Sequence, residues 1–294
     1  MTAGAPGAAP TSPRAVVIKL GGDVLEGEPL GAVAADVASI VTSDGARVVV
    51  VHGGGPQATA LSERLGLTPH IVGGRRITDA ATLEVMKMVV AGRLDVDLVV
   101  ALRAAGARAV GLSGTSGVVR ARRRPPRVVA GGGAVPVDFG LVGDVIGFDL
   151  ALLAVLLDAG YLPVVASLGL GEDTAAGTPE GGSGAPGVEA LNINADVVAS
   201  QLAAVLAARA LVAVSRVGGV RRDKDDPSTR ISRLTVAEAR AVIADGTVQG
   251  GMIPKLEESF APLQAGVGAV HIVAPGEVAA ALQSPGSVGT SLSS

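Results

Sequence analysis

The chain has 294 residues, of which 48% are hydrophobic but only 1% aromatic, and its formal net charge is −3. That length allows one large or two smaller domains, with a core built from Val, Leu, Ile and Ala, a composition that suits layers of helix and sheet. The slightly negative net charge gives no indication of a basic surface for binding nucleic acid. A sequence without cysteine excludes disulfides, zinc–thiolate sites and thiol catalysis.

Targeting and metal signals are also missing from the sequence. No apolar run reaches the eighteen or so residues of a membrane span. Residues 1–14 are rich in Ala, Gly and Pro and lack the charged and apolar regions of a secretory signal, so we expect a disordered tail and a cytoplasmic protein. Three scattered histidines do not suggest a histidine-based metal site, and we assign no metal-binding residue.

The first βαβ unit begins with an apolar run from Val16 that ends at Gly21 and Gly22. Lys19 lies inside this run, where a buried ammonium costs stability unless it reaches an anion or a pocket. A helix from about 30 to 43 connects this strand to a second one, and such a crossover is right-handed.

The second strand, four valines from Val48, ends in the glycine turn Gly53–Gly55, and Pro56 then opens a helix. A strand, a turn without side chains and the positive end of a helix dipole meet here, which indicates an anion site. The alternative is a tight glycine turn without a ligand.

The next polar signal is the pair Arg75 and Arg76 in a loop before Thr78 and Asp79, either of which can cap a long helix that runs towards Leu102. The arginines are placed to bind a carboxylate in the bidentate way that lysine cannot. The alternative is a solvated pair.

The middle of the chain adds strands at 107–113 and 161–167, an extended segment at 135–144 and a helix at 150–159. We interpret the arginine-rich stretch 120–127 as a solvated loop or hairpin tip in preference to an anion-binding patch. Residues 169–189 are of low complexity, and the sequence does not distinguish a flexible insertion from a lid.

Asn192, Asn194 and Asp196 occupy alternate positions before an amphipathic helix, which places them on one side of an extended segment. We favour a polar site over simple capping by Asp196. A buried strand follows at 210–215, and a capping box opens a helix at Thr235. Lys255 follows a glycine pair, and we expect a helix after it that runs through Leu263. The last strands are expected at 270–273 and 289–292.

In this order, the motifs resemble those of the amino acid kinase family over about residues 15–292. The matching stretches are Lys19-Leu-Gly-Gly22, His52-Gly-Gly-Gly55, Arg76-Ile-Thr-Asp79, Gly111-Leu-Ser-Gly114, Val142-Gly-Asp144, Asn192-Ile-Asn-Ala-Asp196, Gly250-Gly-Met-Ile-Pro-Lys255 and Gly289-Thr290. The resemblance implies a three-layer αβα sandwich with a mainly parallel central sheet. It implies one domain at 15–294, with an acyl-substrate lobe at about 15–190 and a nucleotide lobe at about 191–294.

The resemblance also implies roles for individual residues. Lys19 and Lys255 would stabilise the transferring phosphoryl group, and Asp196 would hold both ammonium groups. The substrate side would use Gly54, Gly55, Arg76, Asn192 and Asn194, with Arg76 on the α-carboxylate. The nucleotide side would use Gly21, Gly22, Ser215, Arg216 and Gly219. Two positions depart from the family, which usually has Thr-Asp where this chain has Ser215-Arg216 and Lys-Asp where it has Thr115-Ser116.

The implied function is the phosphorylation of the side-chain carboxylate of N-acetyl-L-glutamate by ATP with Mg²⁺, in arginine biosynthesis. One alternative is a sister kinase for another amino-acid carboxylate, such as glutamate or 2-aminoadipate, possibly linked to a carrier. The other is a regulatory paralogue without catalysis. The prolines before Val16 disfavour the extra N-terminal helix of the hexameric, arginine-inhibited members of the family, so we expect a homodimer insensitive to arginine.

Overall fold

The computed structural model describes residues 15–129, 133–172, 188–223, 225–250 and 252–294. The predicted disordered tail and most of the low-complexity segment lie outside the described residues. In the described part the strands are β1 Val16–Leu20, β2 Val48–His52, β3 Ile71–Val72, β4 Arg75–Arg76, β5 Ala109–Ser113, β6 Val119–Arg123, β7 Gly143–Phe148, β8 Leu162–Ala166, β9 Leu168–Glu172, β10 Val188–Asn192, β11 Ala210–Val214, β12 Arg233–Thr235, β13 Val270–Val273 and β14 Thr290–Ser293.

The α-helices are α1 Glu28–Asp44, α2 Gly55–Arg64, α3 Ala80–Met86, α4 Asp95–Ala104, α5 Leu150–Asp158, α6 Ala195–Val205, α7 Val236–Ala244, α8 Met252–Gln264 and α9 Val278–Gln283. A π-helical segment, Lys87–Leu94, joins α3 to α4, so one long helix runs from Ala80 to Ala104. Asp79 caps this helix by accepting a hydrogen bond from the Thr82 N–H, and the predicted capping box of Thr235 and Glu238 is present.

The central sheet has eight strands in the order β12-β14-β13-β11-β1-β2-β8-β5. All neighbouring strands pair in parallel except β13 and β14, which are antiparallel. β2 follows β1 on one side, whereas β11 lies on the other. The order therefore reverses at β1, and ligands of open α/β sheets bind at the carboxyl ends of the strands at such a point.

Helices cover both faces of this sheet, because residues of each strand alternate between two cores. Val16, Ile18 and Leu20 of β1 pack into one core with residues of α1, α4 and α9. Val17 packs into the other core, which includes residues of α5, α6 and α8. The predicted αβα sandwich with a mainly parallel sheet is confirmed.

A second sheet, in the order β10-β9-β6-β7, adjoins the carboxyl end of β8. The chain passes from β8 to β9 through Ser167, whose N–H donates to the His52 carbonyl at the end of β2. Ile193, just after β10, donates to the Ser167 carbonyl in turn. These bonds fix β10 and the start of α6 beside the end of β2, which places the asparagine motif next to the glycine turn.

Three local expectations differ from the structure. Arg75 and Arg76 form the short strand β4 of a hairpin rather than a loop. Gly169 and Gly171 belong to β9, at the edge of the segment that was expected to be irregular. Asp196 lies in the first turn of α6, and Asn194 is the residue that caps this helix, by accepting from the Asp196 N–H at 2.7 Å.

Candidate active site

The two glycine turns that follow β1 and β2 touch each other. A Cβ atom built on Gly22 would lie 2.9 Å from Pro56 Cδ and 3.3 Å from Gly54 Cα. Gln57 joins the turns, since its side-chain amide donates to the Gly22 carbonyl at 2.7 Å. The backbones can approach this closely only because side chains are absent.

The second glycine turn packs against the π-helical segment and the start of α4. A Cβ atom on Gly54 would lie 2.4 Å from Leu94 Cδ1, and Leu94 is fully buried. His52, also fully buried, has Nε2 3.4 Å from an Asp95 oxygen and Nδ1 3.0 Å from the Gly53 carbonyl. A π-helical segment at such a place is typical of functional sites. The first N–H groups of α2, beyond the turn, have no helical acceptor.

A cavity of about 260 Å³ opens in front of these turns. Of the predicted site residues, it is lined by Lys19, Gly21, Gly22, Gly54, Gly55, Arg76, Asn192, Asn194 and Asp196. Its lining carries four cationic side chains, Lys19, Arg75, Arg76 and Arg124, against the single carboxylate of Asp196. The cavity is therefore suited to an anion with more than one negative charge.

Arg76 reaches back from β4 to the start of α2. Its Nη2 donates to the Gly55 carbonyl at 3.0 Å and to Thr59 Oγ1 at 2.6 Å. Burial lowers the pKa of this guanidinium. Nη1 is buried and, within the described residues, has no hydrogen-bond partner. A buried donor without an acceptor is costly, and a ligand carboxylate would satisfy it.

The two predicted lysines are held in different ways. Lys19 Nζ lies 2.6 Å from Asp196 Oδ1, while Lys255 Nζ donates to Ser215 Oγ at 2.8 Å. Of the two ammonium groups that Asp196 is expected to hold, that of Lys19 contacts it in the structure, whereas that of Lys255 contacts Ser215. Burial lowers the pKa of Lys255 and nearby Lys19 lowers it further, whereas Asp23 and Asp196 raise it. The first pair joins β1 to α6 and the second joins the end of β11 to α8, and all four residues line one small cavity.

Comparisons with known proteins agree with this geometry. A family model described as the amino acid kinase family matches residues 14–274. The chain is 54% identical to the acetylglutamate kinase of Sorangium cellulosum over 286 residues, which covers 96% of this chain and 95% of that protein. The chain belongs to the amino acid kinase family.

Solved structures show the same fold. The N-acetylglutamate synthase of Neisseria gonorrhoeae, complexed with coenzyme A and N-acetyl-glutamate, superposes with a TM-score of 0.75 at 24% identity, over 96% of this chain and 59% of that one. The chain thus spans about three-fifths of the synthase. The carbamate kinase of Giardia lamblia bound to AMP-PNP gives a TM-score of 0.67 at 18% identity, over 96% and 98% of the two chains.

Arg216, which stands where the amino acid kinase family usually has aspartate, is attached to the first glycine turn. Its backbone N–H donates to Asp23 Oδ2 at 3.0 Å, and its Nε donates to the Asp23 carbonyl at 2.7 Å. Asp23 follows Gly22 directly, so this exposed arginine connects the loop after β11 to the loop after β1. We assigned no role to Asp23 from the sequence, although its position next to the glycine pair indicated a place in the site.

Gly219, a predicted nucleotide-side residue, lies away from the 260 Å³ cavity. Its φ is +122°, and a Cβ atom there would lie 3.1 Å from the Gly289 carbonyl carbon, so glycine is required. It lines a separate cavity of about 320 Å³ with Val217, Thr247 and Met252 among others. This second cavity lies on the β11 side of the lysines, and the 260 Å³ cavity lies on the β2 side.

Arg124 is a site residue that the sequence interpretation placed in a solvated stretch. It follows β6, its side chain is 6% exposed, and its Nη2 lies 2.7 Å from Asp144 Oδ1. It lines the 260 Å³ cavity. Asn192 lines the same cavity, and its side-chain amide donates to Thr78 Oγ1 at 3.0 Å. The arginine-rich stretch therefore includes one buried cation that lines the candidate site.

The described residues contain no cluster of three His, Asp or Glu side chains arranged as metal ligands. Asp196 is engaged by Lys19, and Asp23 by Arg216. Mg²⁺ is usually held in such sites by one or two carboxylates together with substrate phosphates. Because Asp196 and Asp23 already have partners, the residues here fit a Mg²⁺ ion that is held mainly by the substrate phosphates. None of the helices in the described ranges has the length and apolar character needed to cross a bilayer.

Proposed function

We propose that this chain transfers the γ-phosphoryl group of ATP to the side-chain carboxylate of N-acetyl-L-glutamate, giving ADP and N-acetylglutamyl 5-phosphate, in arginine biosynthesis. The observation that carries the proposal is the convergence of Lys19 and Lys255 beside two touching glycine turns, next to a cationic cavity. The 54% identity with an acetylglutamate kinase over almost the whole chain supports the choice of substrate.

The acyl acceptor fits the 260 Å³ cavity by charge. N-acetylglutamate carries two carboxylates, and the cavity lining carries a net positive charge. We place the α-carboxylate on Arg76, whose Nη1 has no hydrogen-bond partner in the described part of the chain. The amide end of the substrate then lies near Asn192 and Asn194. The side-chain carboxylate then lies at Gly54 and Gly55, close to Lys19.

The transfer itself needs positioned positive charge rather than an acid or a base. The attacking carboxylate is already ionised at neutral pH. As the bond from the γ-phosphorus to the bridging oxygen of ADP breaks, negative charge on the equatorial oxygens is stabilised by ammonium groups and backbone N–H donors. Lys19 contributes from β1 and Lys255 from α8. Asp196 and Ser215 keep these ammonium groups in place without covalent participation.

For the nucleotide we propose the second half of the chain, about residues 191–294. Gly21, Gly22, Ser215 and Arg216 surround the phosphate end, and the 320 Å³ cavity lined by Gly219 receives the rest of ATP. Mg²⁺ would be held by the phosphate oxygens and water, and would neutralise charge on the leaving group. The Arg216 backbone and side chain are attached to Asp23, so this cation remains compatible with a nucleotide complex.

This arrangement also weighs against a regulatory paralogue without catalysis. That alternative is favoured by Arg216, a cation at a position where the family usually has aspartate. In the structure Arg216 binds the loop after β1, while Lys19 and Lys255 keep their own partners. Both ammonium groups are therefore available for transfer.

We propose further that the chain works in the cytoplasm as a homodimer and is not inhibited by arginine. Apolar side chains are exposed on α4 and α5, at the β5 end of the central sheet, including Val96, Val100 and Val155, which are 57%, 61% and 66% exposed. These helices cover opposite faces of the sheet, and exposed apolar side chains on both sides of one sheet edge favour self-association. Sedimentation equilibrium tests the dimer, and a hexameric mass or inhibition by millimolar arginine contradicts the proposal.

The reaction is tested by trapping its product with hydroxylamine, which converts an acyl phosphate into a hydroxamate. The enzyme is incubated with Mg-ATP and, separately, N-acetylglutamate, glutamate, N-acetylaspartate and 2-aminoadipate. The proposal expects hydroxamate with N-acetylglutamate, at a rate well above the others. Preference for glutamate or 2-aminoadipate identifies a sister kinase instead, and no product with any acceptor, from protein that binds ATP, identifies a regulatory paralogue.

A further inference from the structure

A further, smaller cavity of about 30 Å³ lies between β1, β11, α6 and α8, next to the two lysines. Its lining includes Lys19, Asp196, Ser215 and Lys255, and also Glu258, to which we have given no role so far. Glu258 lies three residues after Lys255 on α8, and residues at this spacing share one face of a helix. An additional acid therefore lies within the group that handles the phosphoryl transfer.

The charges in this cluster are not all paired. Lys19 lies against Asp196, and the Lys255 ammonium donates to the neutral Ser215 hydroxyl. Among the described residues, none donates a hydrogen bond to the Glu258 carboxyl, and the interactions that act on it are burial and charges at a distance. When Glu258 is ionised, the two lysines and two carboxylates sum to zero charge. When it is protonated, the cluster carries one positive charge.

Charged groups from several elements act on Glu258. Burial and then Asp196 of α6 raise its pKa, to about 7, while Lys19 of β1, Arg75 of β4 and Lys255 of α8 lower it. A carboxyl group with this pKa changes its protonation near neutral pH.

The remaining elements that pack on α8 direct their charged groups elsewhere. Arg240 of α7 stacks on the ring of Phe260, with 4.8 Å between the guanidinium carbon and the ring centroid. His271 of β13 has Nδ1 2.9 Å from Ser291 Oγ. The pKa of Glu258 is thus set by burial and by the charges of Asp196, Lys19, Arg75 and Lys255.

We propose that Glu258 is a proton-linked positioning residue, which takes up one proton from solvent when nucleotide phosphates enter beside Lys19 and Lys255. This inference rests on the proposed nucleotide site. Incoming phosphates add negative charge close to a carboxylate that, among the described residues, has no directly bound cation, so they favour its protonated form. Protonation removes one negative charge from the cluster, so the two ammonium groups then face the phosphates with a net positive charge.

The test measures proton uptake directly, by titration calorimetry with Mg-ATP and no acyl acceptor, at pH 8 in two buffers with different ionisation enthalpies. At this pH about nine-tenths of Glu258 is ionised in the free protein. We expect uptake of about 0.4 to 0.8 proton per site, and an affinity that falls between about four-fold and about twelve-fold from pH 7.0 to pH 8.5. No activity is needed for either readout.

Two variants assign the proton. Glu258→Gln should bind Mg-ATP with no uptake at pH 8 and with an affinity nearly constant between pH 7.0 and pH 8.5. Glu257→Gln removes the neighbouring carboxyl, which is exposed, and should behave as the unmodified protein does. Glu258→Asp keeps an ionisable carboxyl and should retain uptake.

Three results overturn the inference: no uptake in the unmodified protein, uptake that persists in Glu258→Gln, or uptake lost in Glu257→Gln. The unmodified protein gives a decisive answer even if the glutamine variant fails to fold. A protein that does not bind Mg-ATP at all contradicts the proposed function instead, so the two failures are distinguishable.

Discussion

Gly54 and Gly55 are neighbours in the glycine turn, yet adding a methyl group to each should have opposite consequences. At Gly54 the new Cβ would lie 2.4 Å from Leu94 Cδ1, more than 1 Å closer than ordinary contact. Overpacking of this kind costs about 1–3 kcal/mol, and because Leu94 is fully buried we expect about 2–3 kcal/mol for Gly54→Ala. For a domain of this size that lowers the melting temperature by roughly 4–10 °C.

At Gly55 the structure leaves open space on the side of the Cβ atom, and the residue is exposed at the edge of the 260 Å³ cavity. Gly55→Ala should therefore leave the melting temperature within about 2 °C, because the change in folding free energy is at most about 0.5 kcal/mol. The methyl group instead hinders the approach of the reacting groups to the backbone. Losing one hydrogen bond to a charged group, about 1.5–3 kcal/mol, lowers kcat/KM between about 10-fold and about 150-fold.

The assay for the pair combines thermal unfolding, followed by circular dichroism, with steady-state ADP release. The two glycines are adjacent in the sequence, and they differ in what surrounds their Cβ position. Normal kcat/KM in a stable Gly55→Ala protein would refute the reasoning, because the turn would then not contact the reactants. An unchanged melting temperature for Gly54→Ala would show that the contact with the π-helical segment is not tight.

Further predictions concern the charged groups. Lys19→Met should lower kcat about 10³-fold while substrate binding is kept, since a unit charge at about 4 Å and an effective dielectric near 20 is worth about 4 kcal/mol; full activity would exclude the role of Lys19. Arg76→Lys loses the contacts to Gly55 and Thr59 and should raise KM for N-acetylglutamate about 10-fold or more, with KM for ATP unchanged. Arg124→Met should also raise KM for the acyl acceptor, whereas Arg122→Met, which removes an exposed arginine of β6, should not; equal effects would exclude a specific role for the buried side chain. Burial lowers the pKa of His271 to about 4, so the unfolded chain binds the proton first as pH falls. The free energy of unfolding should therefore decrease from pH 6.5 towards pH 4 by up to about 3 kcal/mol, and denaturant titrations should find this slope reduced in His271→Asn.

Much of the fold was predictable because the chain signals it locally. The valine runs of β1 and β2 are buried on both faces, and the cores on either side confirm the reason for their composition. Asp79 and Thr235 cap helices as their sequence context predicts. The glycine pairs mark the places where the two turns touch, a contact that leaves no room for side chains.

Other features depend on contacts between distant parts of the chain. Gly169 and Gly171 were taken as loop residues, but they lie in β9, which pairs with β10 and β6. Glycine is needed there because a Cβ atom would approach Ala121 and Leu191 to 2.9 and 2.8 Å. Arg124 is buried because Asp144, twenty residues later, accepts from it, and no local pattern indicates that pairing. The π-helical segment has the same apolar spacing as the α-helix around it.

Glu258 was missed although a signal was available. Its three-residue spacing from Lys255 on a predicted helix indicates a shared face. The helix was expected to begin after Lys255, whereas α8 begins at Met252 and includes this lysine. Because the predicted helix began too late, Lys255 and Glu258 were not recognised as residues of the same helix. The contact of Lys255 with Ser215 was not predictable in the same way, because it depends on the register of α8 against β11.

The central claim is that the side-chain carboxylate of the acceptor attacks the γ-phosphorus of ATP. The most direct test uses N-acetylglutamate labelled with ¹⁸O in both oxygens of that carboxylate, with hydroxylamine present and the released phosphate examined by mass spectrometry. Hydroxylamine attacks the acyl carbon, so the bridging oxygen leaves with the phosphate. The account predicts one ¹⁸O atom in each phosphate released. Phosphate without the label, formed together with ADP, would mean that water is the nucleophile and would contradict the account.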